Sequence, residues 1–347
     1  MSFIFCLCQK NDRIIEGNIK RSIKYPMKSL RQLYQIGCGP SSSHTMAPQK
    51  IALWLKEKYP QAKFRILLYG SLAYTGKGHG TDTVLKKVLG EDTEIIFDHE
   101  KKDIPHPNTL DAEVIEGGKV VACRRAISSG GGAYRIEGEP EDTSPQVYPH
   151  SSFSEIKEYC MKNDIRLSDY VFRMEPDIAE YLENVWETMV AAIKRGLNAE
   201  GALPGGLGVQ RKAKFLYSQR HIDESPETRE NRMVCSYAFA VAEENASGGT
   251  IVTAPTCGSS GVLPAVLYYV HKTRNVTKDA ILRGLAVAGL IGNIIKTNAS
   301  VSGAECGCQA EIGSACAMAA GYSRKCSNWV MIRSNMRRRS VSSIIWG

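Results

Sequence analysis

The sequence predicts an α+β domain followed by an all-helical domain. In the first part, apolar runs of strand length alternate with segments in which apolar residues recur every three or four positions. After Phe153, every long apolar segment has the helical spacing. Between the two parts, from Ser144 to Phe153, the composition turns to Pro, Ser and His, which is typical of a linker. With 347 residues, of which 43% are hydrophobic, the chain can bury two ordinary cores without disulfide bonds.

The positive charge of the chain is concentrated at its ends. The formal net charge is +8, but residues 1–26 contribute +3 and residues 322–347 contribute +6, which leaves −1 for residues 27–321. A near-neutral body has no electrostatic footprint for a polyanion, so we expect no nucleic-acid partner. Residues 1–26 also lack a clear periodicity and are interpreted as an N-terminal extension, with Met1 and Met27 as alternative starts.

Cysteine usage and hydropathy predict the compartment. Eleven cysteines, an odd number, argue against a secreted disulfide framework and favour reduced thiols or a metal site. No apolar run reaches the roughly 18 residues needed to cross a bilayer. The apolar stretch at the N-terminus is too short for a secretory signal. We therefore expect a cytoplasmic protein without membrane contact.

The α+β part begins with two segments of helical pattern. SLRQLYQIG has helical spacing through Leu30, Leu33 and Ile36, and GCGPSSSHTMAPQKIALWLKEKYPQ predicts a helix that begins after Pro40. Free backbone amides at the start of that helix, together with nearby hydroxyl groups, can hold a carboxylate or phosphate. Ordinary capping needs one hydroxyl, so three serines beside His44 favour a functional anion site. The hydroxyl groups belong to Ser41, Ser42, Ser43 and Thr45.

Strands and connecting loops follow. FRILLYGSLA predicts a buried strand, TGKGHGTDTVLKKVLG a loop that leads into a helix, and TEIIFDH and AEVIEGGKVVACRRAIS further strands. His79 lies between glycines, which suggests a tight turn near a ligand, although the GxGxxG pattern of a phosphate loop is absent. His106 precedes Pro107 in the connecting HPNTL loop and is interpreted as structural.

Five segments of the second part predict helices packed against one another. A polar break, GGTIVTAPTCGSSG, places Thr256 and Ser259 before an apolar helix, where hydroxyl and backbone donors can again face an anion. Cys257 in this break is interpreted as a small core residue rather than a ligand. The helical segments are SEIKEYCMKN, IAEYLENVWETMVAAIKRGLN, RMVCSYAFAVAEENA, GVLPAVLYYVHKT and KDAILRGLAVAGLIGNIIKTN.

The stretch from Asn298 to Gly321 carries three cysteines among Ala, Gly and Ser. Small residues allow the backbone to approach a bulky inorganic group closely, so Cys306, Cys308 and Cys316 are candidate ligands. The alternative is that they fill a tightly packed helix, because free cysteine is among the most buried residue types.

Five of these motifs resemble the iron-sulfur-dependent L-serine dehydratases, in the order of that family. They are GPSSSHTMAP, YGSLAYTGKGHGTD, HPNTL, TAPTCGSSGVLPAV and SGAECGCQAEIGSAC. The resemblance runs from Met27 to about Gly321. It implies a β-type α+β domain over residues 27–148 fused to an α-type helical domain over residues 149–321. It also makes a homodimer plausible.

The resemblance implies a 4Fe-4S cluster and the deamination of L-serine to pyruvate and ammonia, a step of amino-acid degradation. Cys308 matches one cluster ligand of the family, whereas Cys306 and Cys316 are interpreted as packing residues. The substrate carboxylate is expected near the hydroxyl groups of the GPSSSHT motif. His44 and His79 are the candidate bases for the α-proton, and the sequence does not choose between them.

The segment after Gly321 departs from the family. It has six basic residues, no acid and no helical stripe, and the family's CDPxxGxxxxPC segment is absent. A one-nucleotide shift of reading frame, with suitable codons, converts residues 331–347 into an amphipathic helix of the kind that precedes that segment. We therefore expect a frameshift near Gly321, an aberrant tail over residues 322–347 and little or no activity.

Two alternatives remain open at this stage. The chain is either a lyase acting on L-serine or a non-catalytic module that binds a small amino acid. A pyridoxal phosphate enzyme is a weaker third reading, because SSGGGAY resembles glycine loops that hold this cofactor while no lysine suggests a Schiff base.

Overall fold

The computed structural model describes residues 27–140, 146–220, 222–299, 301 and 303–326, with the side chains of residues 303–305 and 323–326 left out. The predicted N-terminal extension, residues 1–26, lies outside the described residues, as do residues 327–347 of the predicted tail. An N-terminal part with a mixed sheet is followed by a mostly helical part. This order confirms the predicted fold class.

A five-stranded sheet forms the centre of the N-terminal part. Its strand order is β4-β3-β5-β6-β7, with β3 and β4 parallel and the other pairs antiparallel. Alternate residues Phe64, Ile66 and Leu68 of β3 are buried, as the period of two requires. The strands are β3 (Lys63–Tyr69), β4 (Glu94–Asp98), β5 (Thr109–Glu116), β6 (Lys119–Gly130) and β7 (Ala133–Ile136).

Two helices cover the buried face of this sheet. Helix α1 (Ala47–Lys58) follows a π-helical turn, Ser42–Met46, and supplies Ile51 and Leu55 to the sheet core. Helix α3 (Thr81–Leu89) supplies Leu85 to the same core. The predicted helix after Pro40 is therefore present and begins with the SSHT motif.

A crossover connects the parallel strands β3 and β4. The strand predicted to continue through Ala73 ends at Tyr69, because Gly70 has a φ of +52° and starts the short helix α2 (Gly70–Thr75). A 3₁₀ turn, Lys77–His79, leads from α2 into α3. The glycine-rich motif thus lies at the end of a sheet strand, beside the SSHT turn.

The helix predicted through Leu30, Leu33 and Ile36 is wrong. Only Leu30–Gln32 forms a 3₁₀ turn, after the two-residue strand β1 (Met27–Lys28) that pairs with β8 (Gln146–Tyr148). Ile36 lies in strand β2 (Ile36–Cys38), which pairs with β9 (Thr250–Val252) of the helical part. Leu30 and Leu33 are fully buried in the core of the helical part. Tertiary packing, not local helix formation, explains their spacing.

The helical part contains the five predicted helices, the helix α11 that carries the cysteine-rich stretch, and two further helices that were not predicted. The unpredicted helices are α5 and α7, each of fewer than nine residues, which is too short for a strong periodic signal. The bounds are α4 (Phe153–Lys162), α5 (Leu167–Met174), α6 (Ile178–Asn198), α7 (Ala213–Ser218), α8 (Pro226–Ala246), α9 (Val262–Arg274), α10 (Lys278–Asn298) and α11 (Gly303–Cys326).

Helix α10 lies in the core and packs closely against α11. A Cβ on Gly292 would lie 2.7 Å from the sulfur of Met318, so glycine allows the two helices to approach. We expected no segment long and apolar enough to cross a bilayer, but α10 meets that criterion by length and composition. Of its most apolar 18-residue window, 56% is buried inside the protein, as in the core helix of a folded domain.

Helix α11 carries the cysteine-rich stretch and is broken at Gly307. The backbone of Gly307 has φ 78° and ψ 169°, so the break separates Cys306 from Cys308. The helix continues past Gly321 to Cys326, and Tyr322 is fully buried. The first residues of the predicted tail therefore continue a packed helix.

Candidate active site

The SSHT turn is held together by its own hydroxyl groups. The Oγ of Ser41 accepts a hydrogen bond from the backbone N–H of His44 at 3.1 Å. The Oγ1 of Thr45 accepts from the backbone N–H of Ser41 at 3.3 Å and donates to the carbonyl of His79 at 2.9 Å. Ser42 and Ser43 are buried in the same turn. Two of the four predicted anion-binding hydroxyls are therefore already engaged within the protein.

His44 is buried among hydroxyl groups. Its Nε2 lies 3.0 Å from both Ser71 Oγ and Thr75 Oγ1, and its Nδ1 lies 3.5 Å from Ser41 Oγ. The hydroxyl of Thr75 already donates to the carbonyl of Ser71 at 2.8 Å, so toward His44 its oxygen accepts. This assigns the imidazole hydrogen to Nε2. Burial, followed by the nearby His79, lowers the pKa of His44 to about 4, so the ring is neutral near pH 7.

His79 lies beside His44, and a hydrogen bond of its Nδ1 determines its tautomer. Its Nδ1 lies 2.8 Å from the carbonyl oxygen of Thr75, which can only accept, so Nδ1 carries the hydrogen. The Nε2 lone pair is then available, and no hydrogen-bond partner approaches Nε2 from the part of the chain that the structure describes. The ring centroids of the two histidines are 4.8 Å apart. The structure thus brings together both predicted bases.

The HPNTL loop adds residues that the sequence did not single out. The backbone N–H of Ser71 donates to the carbonyl of Pro107 at 2.7 Å, which places this loop next to the His44 site. Asn108 and Ser128 are fully buried, and the described residues offer no hydrogen-bond partner to Asn108 Oδ1 or Ser128 Oγ. His106 accepts from the backbone N–H of Asn108 at 3.0 Å, in agreement with its predicted structural role.

The second polar loop contacts the same turn from the helical part. Thr256 Oγ1 and Ser259 Oγ are 3.1 Å apart, and Ser259 donates to the carbonyl of Ala254 at 3.0 Å. The thiol of Cys257 contacts the sulfur of Met46 at 3.8 Å. Burial raises the pKa of Cys257 above its ordinary value, so the thiol is neutral. The prediction that Cys257 is a core residue is confirmed.

Glu311 of α11 completes this side of the site. Its carboxyl takes part in a hydrogen bond with the Thr256 side chain, and a Cβ on Gly258 would lie 2.8 Å from its Oε2. Burial raises the pKa of the Glu311 carboxyl. The loop of residues 254–260 therefore connects the His44 turn to α11, one helical turn beyond Cys308.

The cysteines of α11 are exposed, which corrects one interpretation. Cys306 and Cys316 were expected to be packing residues, yet both are exposed, as is Cys308. The buried side chains of α11 are instead those of Ala315, Met318, Ala319 and Tyr322, together with Ser314. Within the described ranges, no three His, Cys, Asp or Glu side chains gather into a group that could hold a metal ion. A 4Fe-4S cluster needs several thiolates, so the described residues do not form a complete site for it.

The sequence matches two family models in sequential order. The serine dehydratase beta chain model matches residues 29–90, and the serine dehydratase alpha chain model matches residues 83–327. This chain belongs to the serine dehydratase family. Its β-type region precedes its α-type region in one chain, as the resemblance implied. The two matches meet at residues 83–90, inside the crossover between β3 and β4.

Several bacterial members of the serine dehydratase family are similar to this chain over most of its length. The L-serine dehydratase of Streptomyces coelicolor is 35% identical over 352 residues, which cover 84% of this chain and 77% of that protein. L-serine dehydratase 1 of Escherichia coli is 35% identical over 354 residues, which cover 85% and 77%. The L-serine dehydratase of Haemophilus influenzae is 34% identical, with coverage of 85% and 77%.

Proposed function

We propose that this protein is an L-serine ammonia-lyase in which His79 removes the α-proton of the substrate. The observation that carries this proposal is the fixed tautomer of His79. Its Nδ1 hydrogen is held by the Thr75 carbonyl, so the Nε2 lone pair is left as a base. The relatives that match this chain are named L-serine dehydratases, which supports serine as the substrate.

The reaction has a defined balance of atoms. His79 Nε2 takes the α-proton, the Cβ–O bond breaks, and hydroxide leaves with the bond's electron pair. Hydroxide takes up one proton to become water, and His79 gives up the proton it gained, directly or through solvent, so that serine loses one water overall. The product, 2-aminoacrylate, tautomerises to the imine, which water hydrolyses to pyruvate and ammonia. His44 is neutral and bonded to three hydroxyl groups, so its ring places no positive charge beside His79.

Buried polar atoms without a partner, in the HPNTL loop, strand β6 and the second polar loop, support a small polar substrate. Buried polar groups are normally hydrogen-bonded. A buried polar atom without a protein partner is therefore expected to bond a ligand or a water molecule. Asn108 Oδ1, Ser128 Oγ and Ser260 Oγ are such atoms. Ser41 and Thr45 build the turn, and Thr256 and Ser259 shape the opposite loop. Substrate contact by these residues and by Ser42 and Ser43 remains part of the proposal.

The proposal includes a 4Fe-4S cluster as cofactor on the strength of the family resemblance. Cys308 is the proposed thiolate ligand, exposed just beyond the Gly307 break. The other thiolates that such a cluster needs are not gathered among the described residues. A cytoplasmic homodimer without nucleic-acid or membrane partners is likewise proposed.

Two assays on the same preparation test this function. The protein is reconstituted anaerobically with iron and sulfide, pyruvate formation from L-serine is followed, and L-serine binding is measured by calorimetry. We expect L-serine binding together with slow pyruvate formation, because few thiolates are available to hold the cluster. Binding without any pyruvate would favour the alternative, a non-catalytic amino-acid-binding module. Absence of both would contradict the proposal.

A further inference from the structure

Lys296, near the end of α10, is a cation with unused hydrogen-bond donors. Its Nζ donates one hydrogen bond, to the carbonyl of Gln32 at 2.9 Å. An ammonium has three N–H donors. In the described ranges no carboxylate forms an ion pair with Lys296, and no second acceptor bonds its Nζ. Two donors therefore remain on a half-buried charged group.

The charged neighbours of Lys296 are also cations. Burial, followed by Lys28 and then Lys50, lowers the pKa of Lys296 to about 8. Lys50 of α1 donates to the carbonyl of Gly132 at 3.1 Å and also bonds the side chain of Gln35. Lys28 belongs to strand β1 and is exposed. Lysines of α10, α1 and β1 thus lie close enough to make the surroundings of the Lys296 ammonium electropositive.

The glycine turn between β6 and β7 forms the wall of this place. A Cβ on Gly131 would lie 3.3 Å from Lys296 Nζ and 4.0 Å from the carbonyl oxygen of Pro255. Gly131 has a φ of +58°, so both the backbone conformation and the close approach favour glycine. This assigns a role to the SSGGGAY segment that differs from a pyridoxal phosphate loop.

The same turn adjoins the candidate active site. Ser128, with its unpartnered Oγ, lies in β6 just before the turn, and Pro255 precedes Thr256 in the second polar loop. A Cβ on Gly132 would contact the Cβ of Met46 at 3.7 Å, in the turn that carries His44. A ligand at Lys296 would therefore lie on the glycine turn whose other side contacts the turn that carries His44.

We propose that the Lys296 ammonium, at the Gly131 turn, binds the carboxylate of the amino-acid substrate. A cation withdrawn from water is normally paired, because an uncompensated charge in a protein interior is costly. A carboxylate would accept the two remaining N–H donors in charge-assisted hydrogen bonds. The sequence predicted this carboxylate at the SSHT turn, but the hydroxyls of Ser41 and Thr45 are engaged there. Among the described residues, no lysine or arginine forms a hydrogen bond with that turn. The inference rests on the proposed function for the identity of the ligand.

The test compares three ligands by calorimetry on the full-length protein. L-serine carries a carboxylate and an amine, 3-hydroxypropionate carries only the carboxylate, and ethanolamine carries only the amine. Lys296→Met is expected to weaken binding of both carboxylates by roughly 10- to 100-fold, the usual range for a hydrogen bond to a charged group. Ethanolamine binding should not change. Lys194→Met, at an exposed lysine of α6, is the control that should bind all three as wild type does.

The pH dependence of 3-hydroxypropionate affinity distinguishes a lysine that binds the carboxylate from a lysine with only a structural role. Because the neutral amine holds an anion poorly, wild-type affinity for 3-hydroxypropionate should fall as pH rises through the Lys296 pKa of about 8. The anion itself raises that pKa, so the fall is expected to begin somewhat above pH 8. Lys296→Met should show no such fall, and Lys296→Arg should bind at pH 9 as well as at pH 7. If Lys296→Met does not fold, the comparison of Lys296→Arg with wild type at pH 7 and pH 9 still tests the proposal.

The outcomes separate the two proposals. Pyruvate formation with carboxylate binding unaffected by Lys296→Met would overturn this inference and leave the proposed function standing. Lys296-dependent binding of 3-hydroxypropionate without pyruvate formation would support the carboxylate site and overturn the proposed function. A wild-type protein that binds neither carboxylate would overturn both.

Discussion

The imidazole rings of His44 and His79 lie 4.8 Å apart, and Thr75 bonds both of them. Its hydroxyl oxygen lies 3.0 Å from Nε2 of His44, and its carbonyl lies 2.8 Å from Nδ1 of His79. Because Thr75 is the last residue of α2, the helix end sets both tautomers at once. The two histidines consequently differ in role: His44 is enclosed by hydroxyl groups, whereas His79 presents a lone pair.

His44 should make the protein less stable in mild acid. Its pKa of about 4 in the folded protein lies below the usual 6.5, so the unfolded chain binds this proton more readily. Stability is therefore expected to fall between pH 6.5 and pH 4, by at most about 3 kcal/mol from this group. Urea unfolding of wild type and His44→Gln at pH 7.5 and pH 5 measures the contribution. An equal pH dependence in both proteins would contradict it.

Glu311 should act through its hydrogen bond with Thr256. Ser259 uses its hydrogen on the carbonyl of Ala254, so Thr256 has one hydrogen for two contacts, Ser259 and Glu311. Burial raises the pKa of the Glu311 carboxyl, and the hydrogen bond with Thr256 lowers it, as expected when the Thr256 hydroxyl donates to the carboxylate. Glu311→Gln, whose side-chain oxygen also accepts, should keep wild-type affinity for L-serine. Glu311→Ala should weaken it roughly 5- to 10-fold, as loss of one hydrogen bond does.

A double-mutant cycle of Gly258→Ala and Glu311→Ala tests whether these two residues are in contact. Gly258→Ala would place a Cβ 2.8 Å from Glu311 Oε2 and is expected to lower the free energy of unfolding by roughly 1–2 kcal/mol. In the Glu311→Ala background the same change should cost much less, because the crowded atom is gone. Additive effects in this double-mutant cycle would show that the two residues are not in contact.

Glu175 should hold the first described residues against the helical part. Its buried carboxylate accepts from the hydroxyl of Ser29, the backbone N–H of Leu30 at 3.2 Å and the hydroxyl of Tyr148 at 2.8 Å. Glu175→Ala would leave these buried donors unsatisfied and should lower the free energy of unfolding by roughly 3 kcal/mol. Glu180→Gln, at an exposed position of α6, is the matched control and should lie within about 0.5 kcal/mol of wild type.

Gly284 should be intolerant of a side chain because α11 continues through Tyr322. An alanine Cβ there would lie 2.0 Å from the Tyr322 ring, so Gly284→Ala is expected to destabilise the protein by roughly 1–3 kcal/mol. Gly313→Ala on α11 has no atom within 4 Å of the new Cβ and should be neutral or stabilising. Thermal unfolding distinguishes them, and equal midpoints would contradict the contact between Gly284 and Tyr322.

Local patterns predicted the long helices and strands but not the first described segment. Helices α6 and α10 bury mostly apolar residues that recur every three or four positions, so their period is visible in the sequence. Leu30 and Leu33 show the same spacing for another reason. They contact α10 at Gly289 and Gly292, more than 250 residues away, and no local pattern carries that information.

The site was predictable where its residues are neighbours in sequence. Ser41, His44 and Thr45 form one turn, and the glycines around His79 mark another. Asn108, Ser128 and Lys296 become candidates only after the sheet and α10 bring them together, because each is ordinary in its own segment. Exposure of Cys306 and Cys316 was also not predictable, since small residues around a thiol fit a buried and an exposed cysteine equally.

The most direct test of the account is the turnover rate of His79→Gln on L-serine. Removal of a general base should lower kcat by about 10²- to 10⁴-fold while L-serine affinity stays within about threefold of wild type. His99→Gln, an exposed histidine outside the site, should keep the wild-type kcat. Reconstitution with iron and sulfide is identical for all three proteins. A His79→Gln protein that retains the wild-type rate of pyruvate formation would contradict the assignment of His79 as the base.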